Sequence, residues 1–236
     1  MKKLGILIIA LFTLVGFQAQ TDNFNNLLQK HVDDKGNVDY KSFKKDEKKL
    51  VEFTTYLTNT SPDTSWSANK EKAFWINAYN AYTIKLILEN YPLKSITDIK
   101  ENGKTAWKIE FAKVCGTTYT LDHIEHEILR KKFQDPRIHV GVNCASVSCP
   151  KLLNKAFTEE NIDKEMEILM KEFINDATRN KIAKNKIEIS SVFDWFKEDF
   201  TMNSTVIEYL NKYSDTKIGK DANVSYLKYN WSLNKK

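Results

Sequence analysis

Two of the chain's three cysteines and one of its four histidines fall in one stretch, residues 135–152, DPRIHVGVNCASVSCPKL. A thiol near an imidazole suits nucleophilic catalysis, in which a thiolate attacks and a base handles its proton. In that reading Cys149 or Cys144 is the nucleophile and His139 or His126 the general base, with Glu125 or Asn143 orienting the base. Cys149 precedes Pro150, a residue suited to the first helical position, so CPKLLN reads as a short helix with Cys149 at its positive end. Ser146 and Ser148 offer hydroxyl donors to an oxyanion. The chemistry would be acyl transfer: peptide or amide hydrolysis, or transpeptidation.

Two blander readings stand beside it. The first, which the sequence favours, is a binding or structural domain in which Cys144 and Cys149 close a small disulfide loop, stabilising it by about 2 kcal/mol. His139 is then a hydrogen-bonded core residue, and a peptide or glycan lies in a groove lined by Trp66, Trp75, Trp107 and Tyr79. The second is zinc held by His126, His139, Cys144 and Cys149. The usual C-x-x-C and H-x-x-x-H spacings are lacking, so neither metal nor other cofactor is expected. There is no G-x-S-x-G turn for a serine hydrolase and no glycine-rich phosphate loop for a nucleotide. Whether the chain is an enzyme stays open at this point. FDWFKEDF, residues 193–200, offers Asp194, Glu198 and Asp199, read as caps or solvated groups beside anchoring aromatics. Asp199 is expected to pair with Arg137 or Arg130, and His31 and His123 to lie at the surface.

The elements that must position these residues can be read along the chain. Lys2 and Lys3 precede an apolar run, Leu4 to Gly16, and Ala19 offers a cut. That is the pattern of a secretory leader over residues 1–20, and the run is shorter than the roughly 20 residues a membrane span needs. Phe17 stands where a small residue is preferred, which leaves an uncleaved anchor as the alternative. Residues 21–236 are read as one exported globular domain without a membrane span, periplasmic or secreted. The formal net charge of +5 falls to +3 without Lys2 and Lys3, and no basic stripe suggests nucleic acid. An odd cysteine count in an exported chain points to one disulfide and a leftover thiol, or to no disulfide.

Helices are expected over 22–34, 42–58, 68–90, 121–133, 158–177, 192–200 and 203–213. Strands are expected at 137–143, 186–190 and 223–231, with a hairpin at 107–121 turning on Cys115-Gly116. Arg137 to Asn143 reads as a strand because Ile138, Val140 and Val142 alternate with His139, Gly141 and Asn143. The 68–90 helix is apolar almost all round, so it should be buried, yet it carries Asn77 and Asn80 on one face. Those amides either tie down neighbouring loops or orient a catalytic group. The fold class is α+β: a small, mostly antiparallel sheet packed on several helices, one of them central and buried.

Five pieces, AFWINAYNAY, LDHIEHEILR, DPRIHVGVNCASVSCP, FDWFKEDF and YNWSLN, together resemble the domain of unknown function 547 family, in the family's order and over about residues 24–234. The resemblance implies an exported, stand-alone bacterial domain with no assigned activity; related plant forms carry coiled-coil segments that this chain lacks. One departure is visible. The family usually has Phe-Ala-Leu between the strand histidine and Asn-Cys, where this chain has Val140-Gly141-Val142. The glycine implies a gap or a close backbone approach beside His139.

Overall fold

Helix α4, Ala68–Asn90, is the axis on which the rest is built. The structure is a computed structural model that describes residues 20–236; the expected leader, except for Gln20, lies outside the described residues. Ser67 caps α4 by accepting from the Lys70 amide at 3.1 Å, and Pro92 stops its continuation. Its apolar residues run all round the helix, and sixteen of its residues are buried. Helix α3, Glu47–Asn59, with Leu50, Phe53 and Leu57 buried, and helix α7, Ile162–Asn175, with Met166, Leu169 and Met170 buried, both pack on it. Each such side chain contributes about 1.5–3 kcal/mol on burial. Residues 20–31 form helix α1, which sends Phe24 onto Phe53 with ring centroids 4.4 Å apart. Helix α2, Tyr40–Phe43, leads through a 3-10 turn into α3.

The strands are short. β1 (Lys100–Glu101) pairs with β2 (Lys104–Thr105), and β3 (Ala112–Val114) with β4 (Thr117–Tyr119), each pair antiparallel. The β3–β4 turn is Cys115-Gly116, both at positive φ, as the sequence suggested. The remaining strands, β5 (Lys181–Ile182), β6 (Lys186–Ile189) and β7 (Asn223–Tyr226), form one sheet, antiparallel at β5–β6 and parallel at β6–β7. Small sheets against several helices make the architecture α+β. The β3–β4 hairpin forms its own two-stranded sheet, so the helix after it takes its position from α4 instead.

That following helix spans residues 121–133. Its middle, His123–Arg130, is wound as a π-helix, and its last turn is helix α5, Lys131–Phe133. Gln134 in the left-handed region ends it. Next comes the largest correction to the sequence reading: residues 138–141 form a helical turn, α6 (Ile138–Gly141), and not a strand. Ile138, His139, Val140, Gly141 and Val142 are all buried, so their alternation marks no solvent face. Asp135 starts the turn by accepting from the Arg137 amide, and α4 closes it. Asn80 donates to the Gly141 carbonyl at 2.8 Å and accepts from the Asn143 amide at 2.9 Å. A Cβ on Gly141 would sit 3.0 Å from Ile76 Cδ1, so the glycine marks a close approach to α4.

Helices α8 (Val192–Trp195), α9 (Lys197–Thr201) and α10 (Val206–Leu210) follow the sheet's middle strand. The chain's last residues then return across the molecule. Ser232 bridges to Ser95, Leu233 to Ser146 and Lys235 to Val38. His31, expected at the surface, is buried against Phe43 with Nε2 2.8 Å from Asp46, while His123 is exposed as expected. Among the described residues no helix is long and apolar enough to cross a membrane.

Candidate functional site

Cys144 and Cys149 meet at the floor of a pocket of about 190 Å³. The loop between them is braced from three sides. Asn143 accepts from the Ala145 amide at 2.9 Å and donates to the Pro150 carbonyl at 2.8 Å. Arg179 donates to the carbonyls of Val147 and Cys149. The C-terminal segment supplies the third brace: the Val147 amide donates to Ser232 O and the Asn234 amide to Ala145 O. Ala145 is held at φ 55°, a left-handed conformation costly for a residue with a Cβ. Its amide and carbonyl are both bonded, which keeps the turn in place.

The two thiols are free, and their sulfurs lie 3.0 Å apart. Their surroundings differ. Cys144 is half-buried, and the hydroxyls of Ser146 and Tyr229, 3.1 Å from each other, each lie 3.2 Å from its sulfur. The Cys149 S–H, aided by those two hydroxyls and against the cost of burial, lowers the Cys144 thiol to about 7. Cys149 is buried, and burial together with its bond to Cys144 pushes its thiol well above the ordinary value. The Cys144 amide donates to the Cys149 sulfur at 3.0 Å, fixing the inner thiol in place. Cys149 does not begin a helix: residues 149–153 are non-helical, so no helix dipole acts on it.

The acid and base groups form a second layer. Arg130 grips Asp199 with Nε at 2.6 Å and its second nitrogen at 2.9 Å, which identifies the partner the sequence left between Arg137 and Arg130. Burial alone would raise the Asp199 carboxyl, but the bonds from His139 and Arg130 hold it far below the carboxylate range. His139 lies against Phe196, ring centroids 3.9 Å apart, with Nε2 2.7 Å from Asp199. Burial keeps its imidazole neutral, so Nε2–H donates to Asp199 and Nδ1 is left as a bare acceptor. Among the described residues that Nδ1 has no hydrogen-bond partner, and it faces Glu125 Oε1 at 3.8 Å. Burial raises Glu125 to about 7, against a hydrogen bond from the Tyr79 hydroxyl. His126 Nδ1 lies 2.8 Å from the Arg130 guanidinium, and burial and that cation both lower its basicity.

The pocket therefore gathers five of the six predicted residues, Cys144, Cys149, His139, His126 and Glu125; Asn143 braces the loop from behind. The predicted Cys–His pair is not formed. The hydrogen bonds of both imidazoles go to Asp199 and Arg130, because both rings point toward the π-helix and α9. The zinc set does not converge either; among the described residues no group of three or more His, Cys, Asp or Glu is placed to hold a metal. The aromatic lining differs from the expected groove. Tyr79 and Trp107 are there, but Trp75 is buried and Trp66 packs on Phe74; Trp195, Trp231 and Tyr229 line the mouth instead. The sequence gives no sign of Tyr229 as a thiol partner, although it begins the YNWSLN piece. Nothing in its local spacing points back 85 residues to Cys144.

Compared with known proteins, residues 64–174 match a family model described as "Protein of unknown function, DUF547". The match covers the first three motif pieces and ends before FDWFKEDF and YNWSLN. No curated protein and no solved structure matches the chain.

Proposed function

This chain belongs to the DUF547 family, and from its site we propose that it is a thiol–disulfide exchange enzyme working through Cys144 and Cys149. One observation carries the reading: two sulfurs 3.0 Å apart in opposite settings, one half-buried with its thiol lowered to about 7, the other buried with its thiol pushed well above the ordinary value. Exchange uses that difference. The outer sulfur meets substrate, and the inner one closes or opens the internal bond. Donors that stabilise the Cys144 thiolate stabilise the reduced protein, so the oxidised protein tends to give its disulfide away.

In that direction a substrate thiolate attacks Cys144 Sγ of the Cys144–Cys149 disulfide, and Cys149 leaves and gains a proton. The substrate's second thiol loses its proton and attacks the substrate sulfur now bonded to Cys144. Cys144 departs as the thiolate. Two electrons pass from the substrate dithiol to the protein, and the substrate leaves as a disulfide. A second disulfide compound, itself reduced to two thiols, restores the protein. This chemistry belongs in an oxidising compartment, which agrees with the exported location read from the leader. The rim of Trp107, Trp195, Trp231 and Tyr229 suits a peptide dithiol with apolar neighbours.

Acyl transfer at Cys144 ranks second, because it calls for an imidazole against the sulfur and both imidazoles bond elsewhere. The test is redox equilibration of the purified protein in graded mixtures of reduced and oxidised glutathione, followed by acid quench, alkylation and intact mass. We expect one reversible disulfide, and in Cys149→Ser a glutathione adduct trapped on Cys144. A disulfide that yields only after unfolding would replace this reading with the structural staple. Fast alkylation of Cys144 without any adduct in Cys149→Ser would replace it with acyl transfer.

A further inference from the structure

Glu125 is the ionisable group for which the structural framework of the site gives no use. It is only 7% exposed, on the π-helix, and lines the same pocket as both sulfurs. Among the described residues no cation neutralises it by direct contact: Arg130, on its own helix, is committed to Asp199. The groups facing it are Tyr79 from α4, Cys144 from the loop, His139 from α6, and Asp122 and Arg130 from its own helix. Tyr79 donates to it and lies within electrostatic reach of both sulfurs.

Resting on the exchange reading, we propose that Glu125 is the proton carrier of the reaction: its carboxyl protonates Cys149 as that thiol leaves, and its carboxylate then takes the proton of the substrate's second thiol. The imidazoles are placed worse for the task. His126 adjoins a guanidinium, and His139, 3.8 Å from Glu125, has its Nε2–H on Asp199. Cys149 is a poor leaving group without a donor, because burial resists its thiolate. The balance closes. Protein disulfide, Glu125 carboxylic acid and a substrate carrying one thiol and one thiolate become Cys144 thiolate, Cys149 thiol, Glu125 carboxylic acid and substrate disulfide. One negative charge is present throughout, and it moves from the substrate sulfur to Glu125 and on to Cys144. Its arrival on Cys144 raises the affinity of Glu125 for its proton, so the product state is also the one in which the acid is recharged.

The experiment follows reduction of the oxidised, full-length protein by dithiothreitol from pH 5.5 to 8.5, with each rate divided by the dithiothreitol thiolate concentration. For the wild type the corrected rate should fall as pH rises through one ionisation, above the ordinary 4.5 of a glutamate because of burial and below the value of about 7 that Glu125 has beside the reduced Cys144, since the disulfide carries no charge. Glu125→Gln should be slower by about 100-fold at pH 6 and flat with pH. Glu125→Asp should restore the ionisation. A Glu125→Gln profile equal to the wild type overturns the proposal. If Glu125→Gln does not fold, Tyr79→Phe decides: loss of the donor to the carboxylate should move the midpoint upward, and an unmoved midpoint overturns the proposal. A protein that forms no reversible disulfide and no Cys144 adduct removes the exchange reading itself. A protein that does both, with Glu125→Gln unchanged, removes only the proton carrier.

Discussion

Behind the Cys149 S–H and alongside Ser146, Tyr229 adds to the acidity of Cys144 by placing a hydroxyl 3.2 Å from its sulfur. A hydrogen bond to a charged group is worth about 1.5–3 kcal/mol, and one pKa unit corresponds to about 1.4 kcal/mol. Tyr229→Phe should therefore raise the Cys144 alkylation midpoint from about 7 by roughly one unit. Iodoacetamide labelling against pH reads this directly. The ionisable groups also pull stability in different directions. Glu125, at about 7, is protonated in the folded chain and ionised in the unfolded chain between roughly 4.5 and 7. Its contribution is full at low pH and is lost as pH rises through that window. Cys144 does the reverse: its contribution is present above the ordinary thiol value of 9.0 and lost as pH falls toward about 7. His139, kept neutral by burial, loses its contribution as pH falls below its ordinary 6.5. Urea unfolding at pH 5 and pH 8 should show wild type losing about 3 kcal/mol relative to Glu125→Gln between the two, and equal slopes would contradict the raised carboxyl.

At the scale of elements, α4 acts as a template through its two buried amides. Asn77 donates to Phe157 O at 2.7 Å and accepts from its amide at 3.0 Å, holding the segment before α7. Asn80 does the same for Gly141 and Asn143, which lead directly into Cys144. Both amides serve loops, and Asn80 serves the reactive one. Asn80→Ala would leave two buried backbone groups without partners, so it should cost about 2–4 kcal/mol and move the Cys144 midpoint; Asn77→Ala should destabilise similarly while leaving that midpoint in place. Thermal melts paired with labelling separate the two. Gly36 is a second fixed point. Its φ is +81°, and a Cβ there would lie 2.6 Å from the Leu152 amide nitrogen, just past the cysteine loop. Gly36→Ala should destabilise by about 2–4 kcal/mol through backbone strain and overlap, measured by chemical denaturation.

The site exists only at the scale of the whole molecule. Its lining comes from α4, the π-helix, α6, the cysteine loop, α8 and the final residues, so no single element holds it. The C-terminal segment closes it by pairing with Ser146 and supplying Tyr229 and Trp231. A chain ending at Lys228 should raise the Cys144 midpoint at least as far as Tyr229→Phe does and lower the melting temperature, because one donor and three backbone bonds to residues 145–148 go together. Labelling and melting of that truncation check both.

The α+β class, the buried helix with its two asparagines, the Cys115-Gly116 turn and the cysteine stretch as the site were legible in the sequence, because each rests on local chemistry: hydrophobic periodicity, turn preference, or residue types that are reactive wherever they are placed. Two assignments failed where local pattern loses meaning. The alternation in Arg137–Asn143 suggested a strand, but full burial removes the solvent face that alternation reports, and Asn80 bends the segment into α6. Cys149 before Pro150 suggested a helix start, but the loop's bonds to Asn143 and Arg179 hold it in a non-helical course. Which cysteine is acidified, and that Cys149, Ser146 and Tyr229 rather than a histidine tune it, were decided by tertiary structure alone. A thiol's pKa depends on the donors and the dielectric around its sulfur, and here those come from residues as far as 85 positions away.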